Sequence, residues 1–138
     1  MNKYSRITNN PDTLSKPLGL YSQFCSVNTS KLIFLAGQVA VDRNGNLVGK
    51  NDIATQVTQI YQNIADALSS ANATFDHVVQ FTTYVVGEQN IPLFLEKRNA
   101  IVTDIYPSND FPPSTLLVVA GLADPSYLAE VTTIAAIP

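Results

Sequence analysis

A single glutamate within a run of strand-forming residues sets the tightest constraint on how this chain can fold. Residues 111–122 and 128–138 are two apolar stretches rich in Leu, Val, Thr and Ile, split by Ala123-Asp124-Pro125-Ser126-Tyr127. That composition and length predict two buried strands joined by a turn. Glu130 interrupts the second. It shares the two-residue phase of Leu128, Thr132 and Ile134, so a carboxylate points to a face otherwise built of apolar and hydroxyl groups. An unpaired carboxylate is costly to bury, which leaves four options: a partner, a cleft, protonation, or a strand edge facing water.

The 138 residues suit one domain spanning 1–138, with a single core. Hydrophobic residues make up 46% and charged residues only 14%, so the charged surface is sparse and buried contacts between subunits are expected. The net charge is −3 and no basic cluster exceeds Lys97-Arg98, so the electrostatic footprint of a nucleic-acid binder is missing. The N-terminal residues have no apolar signal core, and no run approaches the ~20 apolar residues of a membrane span, so a soluble, cytoplasmic protein is expected. One cysteine, Cys25, and one histidine cannot build an internal disulfide or a structural zinc site, and no cofactor or metal is expected.

The residues before Gly19 are polar and include Pro11 and Pro17, which suits an irregular lead-in or a short edge strand. Residues 21–27 form a possible first strand. Residues 31–41 form a clearer one, apolar on both faces and therefore expected to be covered on both. Gly37 inside it marks a bulge or a close backbone approach, either by a ligand or by a neighbouring subunit. Asn44-Gly45 predicts a tight turn. Asn51 or Asp52 then caps a helix whose apolar stripe is Ile53, Val57, Ile60, Ile64 and Leu68, with Gln56, Gln59, Gln62 and Asp66 off it. This helix should end near 70–72. Residues 75–86 read as a strand. A second helix, capped by Asn90 with Pro92 in its first turn, buries Phe94, Leu95, Ile101, Val102 and Ile105 and stops at Pro107. The order is that of an α+β domain, a mixed sheet with two helices on one face.

Four segments in order resemble the RidA/YjgF/YER057c/UK114 family. They are Gly19-Leu20-Tyr21-Ser22-Gln23, Leu32 to Gln38, Ser114 to Leu122, and Leu128 to Ala135, so the resemblance covers 19–136, nearly the whole chain. It implies a chorismate-mutase-like fold and a homotrimer with clefts between subunits. It also implies hydrolysis of a small reactive imine or enamine, with a non-catalytic small-molecule binder or protein-stabilising partner and, more weakly, an endoribonuclease as alternatives. At the family's carboxylate-binding arginine this chain carries Ser114, within Pro112-Pro113-Ser114-Thr115, and Leu116 stands at the following cysteine position. A serine hydroxyl cannot replace a bidentate guanidinium. The substrate is therefore expected to differ from the usual 2-aminoacrylate.

The residues that match the family's site are Tyr21, Gly37, Gln38 and Glu130, with Glu130 as the group that moves protons. Arg98 falls within the apolar stripe of the second helix and is a local candidate for the missing cation. A guanidinium there also fits a snorkelling side chain, a partner for Glu130, or a partner for an interface carboxylate. His77, Cys25 and Tyr84 carry no neighbouring motif and read as a surface histidine, an inert cysteine and a core or interface aromatic.

Overall fold

The computed structural model describes residues 3–138 of the chain. Its centre is a four-stranded sheet in the order β3-β6-β4-β5, where β3 is Lys31–Gln38, β4 Val78–Val86, β5 Ser114–Val119 and β6 Ala129–Ile137. β6 runs antiparallel to both β3 and β4, whereas β4 and β5 are parallel, so the sheet is mixed. A parallel pair needs a long crossover, and the helix α2, Ile91–Ile105, supplies it. The helix α1, Ile53–Ser70, packs on β3 and β6 and against α2. The predicted short edge strand exists as β1, Ser5–Asn9, which pairs only with β2, Phe24–Asn28, as a separate two-stranded ladder. Arg6 holds this ladder to the rest through Asp110, at 2.7 Å, and the Val78 carbonyl, also at 2.7 Å.

Helix α1 starts where a free carboxylate can meet its first amides. Asp52 accepts from the Thr55 amide at 3.2 Å and from the Thr55 hydroxyl at 2.6 Å. The whole expected stripe is buried against the sheet. Gln56, expected off the stripe, is fully buried instead. Its amide nitrogen donates to the Gly49 and Ser126 carbonyls, both at 3.0 Å, and its oxygen accepts from the Leu128 amide at 2.9 Å. A side chain that satisfies three backbone groups can occupy the core at little cost.

Other boundaries shift for local reasons. The first strand begins at Phe24, because residues 18–23 form a strap held by the Ser22 amide on the Pro112 carbonyl. Phe75–His77 is a single 3-10 turn ahead of β4, in which His77 Nδ1 accepts from the Thr74 amide at 3.0 Å. Asn90 does not cap α2 with its side chain. It already has right-handed helical backbone angles after the 3-10 turn Glu88–Asn90, and its amide reaches back to the Val86 carbonyl. Leu95 is exposed, not buried. At Asn44-Gly45 the expected turn is present, with Gly45 at φ +82° and Asp42 accepting from the Asn44 and Asn46 amides.

The core lies between the helices and one face of the sheet, where Leu35, Val78, Phe81, Val85, Val131 and Ala135 are buried. Among the described residues no helix covers the opposite face. β3 was expected to be covered on both sides, yet Phe34 is 71% exposed and Leu32 48% exposed within the chain. Among the described residues no helix is long and apolar enough to cross a membrane.

Replacing Gln56 by alanine takes away the side-chain partner of the Ser126 carbonyl and the Leu128 amide, and leaves the Gly49 carbonyl with the Asp52 amide alone. A loss of about 2–3 kcal/mol in chemical denaturation is expected, with hydrogen exchange accelerated first at Leu128. Unchanged stability would contradict the positioning role.

Candidate functional site

The register of β6 decides where its carboxylate goes. Ala129, Val131, Thr133 and Ala135 face the core, so Glu130, Thr132 and Ile134 face the helix-free side. Glu130 is half-buried there, directly across from Tyr84 of β4, which in turn neighbours Leu117 of β5. On its other flank lies Gly37. The β3–β6 register slips between Leu35 and Gln38, and the carboxylate of Glu130 occupies the space a side chain at 37 would need. A Cβ at this position would sit 2.8 Å from Cδ and 3.0 Å from Cγ of Glu130. The expected irregularity at Gly37 is therefore present in the ladder, and the group that approaches the glycine is Glu130 of the same chain, not a ligand or a neighbouring subunit. Among the described residues the only ion pair joins Arg6 and Asp110, so Glu130 has no cationic partner and Arg98 is not one.

A second group of the expected residues gathers elsewhere. Tyr21, Arg98 and Ser114 line a cavity of about 570 Å³ between α2, the edge strand β5 and the strap at 18–23. Ser114 is in register with Phe81 and so lies on the helix side of the sheet, whereas Glu130 lies on the other. One chain therefore does not bring Glu130 and Ser114 into a common cleft. Gln38 joins neither group. It borders a shallow polar depression with Asp42, Arg43, Asn63 and Asp66.

Arg98 occupies the stripe position the helical spacing assigned to it, and it is 7% exposed. Its Nη2 donates to the Leu20 carbonyl at 2.9 Å and its Nη1 to Asn99 Oδ1 at 3.1 Å. Nearby, burial pushes the phenol of Tyr61 up from its ordinary value, and the Arg98 guanidinium opposes that rise. Burial likewise pushes the thiol of Cys25 up, which disfavours the nucleophilic thiolate. His77 is absorbed by its turn. Residues not singled out by sequence also contribute: Thr83, buried on β4, and Asn99 both line the cavity. A hydroxyl residue in the inward phase of β4 was the available signal for Thr83.

The family model described as Endoribonuclease L-PSP matches residues 12–137. The chain belongs to the Rid family, also written YjgF/YER057c/UK114. The Rid-family protein YyfB of Yersinia pestis, described as of unknown function, superposes with a TM-score of 0.84 at 30% identity, covering 96% of this chain and 98% of that one. The AldR protein of Lactococcus lactis, named as a regulator, is 32% identical over 126 residues, 89% of this chain and 93% of that protein. A RutC family protein of Pyrococcus abyssi is 36% identical over 70 residues, and that alignment spans 54% of the relative's length. The Rid fold expected from the four sequence segments is the fold observed, with two helices on one face of a mixed sheet.

Gly37 can be tested without unfolding the protein. The three atoms nearest to a methyl group there all belong to the flexible Glu130 side chain, and the glycine does not have a positive φ. Gly37→Ala should keep stability within about 1 kcal/mol of the parent while turning the Glu130 carboxylate away from β3. A crystal structure of the variant checks both outcomes.

Proposed function

We propose that this Rid-family chain hydrolyses a small imine, enamine or related amine in a cleft completed by neighbouring subunits of a homotrimer. The observation that carries this reading is the placement of Glu130. One half-buried carboxylate without a cationic partner lies on a glycine, on a sheet face that exposes Phe34, Leu32 and Leu117. Exposed apolar surface on a sheet face favours a covering partner. Three copies packed through these faces would place the carboxylate in a cleft shielded from bulk water, where its interactions strengthen.

The chemistry assigned to Glu130 is proton transfer. As a base it takes a proton from water while the water oxygen bonds to the carbon of the protonated imine, giving a neutral carbinolamine. Glu130 then gives that proton to nitrogen and takes the carbinolamine hydroxyl proton as the carbon–nitrogen bond breaks, so that the carbonyl forms, ammonia leaves, and the proton left on Glu130 passes to the departing ammonia as ammonium. The tight fit against Gly37 restricts the carboxylate to a narrow set of positions, which favours proton transfer to one site. Ser114 stands where an anchoring arginine would be, so β5 supplies no cation, and 2-aminoacrylate is not the proposed substrate.

The alternative of a non-catalytic binder is favoured by the same serine, because a cavity can persist after its anchor has changed. The endoribonuclease reading that the family description brings to mind fits poorly with a net charge of −3 and no basic cluster beyond Lys97-Arg98.

Ammonia release from a panel of imines generated in situ tests the proposal. The parent protein should turn over at least one member, and Glu130→Gln should lower that rate by about 10²-fold or more. Undiminished turnover in the variant contradicts the role of Glu130. Ligand-induced thermal stabilisation without ammonia release from any imine favours the binder.

A further inference from the structure

The cavity between α2 and β5 encloses a positive charge that its surroundings leave uncompensated. A guanidinium carries five N–H donors, and two acceptors are met here, the Leu20 carbonyl and Asn99 Oδ1. Both are neutral, and no carboxylate pairs with Arg98 among the described residues. The Tyr61 hydroxyl is buried beside the guanidinium, and burial keeps its proton on, so it brings no counter-charge. Withdrawing a guanidinium from water is costly, and neutral acceptors return only part of that cost. A charge placed this way in a cavity is suited to an anion.

The walls narrow the class of anion. Leu20, Ile91, Phe94 and Leu116 give the cavity an apolar body, while Ser114 and Thr83 bring hydroxyl-bearing residues to its lining. Arg98 is the only Lys or Arg among the lining residues, which matches one carboxylate better than a multiply charged phosphate. At about 570 Å³ the space lies in the range of small-molecule sites and far exceeds a three-carbon acid. We infer that this cavity binds a monocarboxylic acid with an apolar or aromatic body, anchored by Arg98 of α2 in place of a cation on β5. The inference rests on the small-molecule reading above, but on none of its hydrolytic chemistry.

Calorimetric titration with phenylacetate, acetate and phenylacetamide tests it. Phenylacetate should bind the parent protein at least about tenfold more tightly than either acetate, which lacks the apolar body, or phenylacetamide, which lacks the charge. Arg98→Met should weaken phenylacetate by about 30-fold or more, with Arg98→Lys in between. Leu116→Trp, which fills the cavity and leaves Arg98 in place, should also abolish binding, and it decides the matter if Arg98→Met fails to fold. Three results would overturn the inference: no phenylacetate binding to the parent, equal binding of the amide, or binding indifferent to both substitutions. Arg98-dependent binding with no ammonia released from any imine would remove the hydrolytic reading alone. Turnover of a carboxylated imine with unchanged KM in Arg98→Met would remove the Arg98 anchor alone.

Discussion

The side-chain amide of Gln56 holds the entry to β6, and much of the site's geometry follows from that grip. By bonding the Gly49 and Ser126 carbonyls and the Leu128 amide, it fixes where the strand begins relative to α1. Alternation then follows from the pleat. Ala129, Val131, Thr133 and Ala135 turn to the core, and Glu130 turns to the helix-free side. A slip of one residue would bury the carboxylate under α1 and expose the valine, so the register is strongly specified.

The sheet thereby separates two chemical environments. On its helix side a guanidinium from α2 lies in an apolar-walled cavity, with an edge strand that contributes hydroxyl-bearing residues and no cation of its own. On the other side a carboxylate rests on a glycine among exposed apolar residues. The two charges do not pair within the chain, although pairing them would be the simplest way to lower the cost of each. Their separation is what makes an anion for one and a reacting proton for the other plausible chemical uses.

Most of the fold was legible because its signals are periodic. The stripe of α1, the turn at Asn44-Gly45 and the two C-terminal strands depend on spacing and turn chemistry that a single chain displays directly. The misreadings involve contacts distant in sequence. Gln56 reads as a solvent-facing amide until Ser126 and Leu128, some seventy positions later, supply its partners. Asn90 reads as a helix cap until the preceding 3-10 turn takes over its backbone. The candidate site shows the same division. Arg98 was visible as a charge on an apolar stripe and Gly37 as a glycine inside a strand. That Glu130 lies against Gly37, and that Ser114 lies on the far side of the sheet from both, depends on strand order and register, which no local pattern encodes.

The central claim is that the helix-free sheet face, with Glu130 on it, is covered by further copies of this chain. Sedimentation velocity on the parent protein and on Phe34→Asp tests it most directly, because Phe34 is the most exposed large apolar residue of β3 and its replacement places a charge on the face that would be covered. A single boundary at three chain masses for the parent, shifting to smaller species in Phe34→Asp while the variant keeps its folded circular-dichroism spectrum, is the expected result. A monomeric parent, or a trimer indifferent to the aspartate, would contradict the claim.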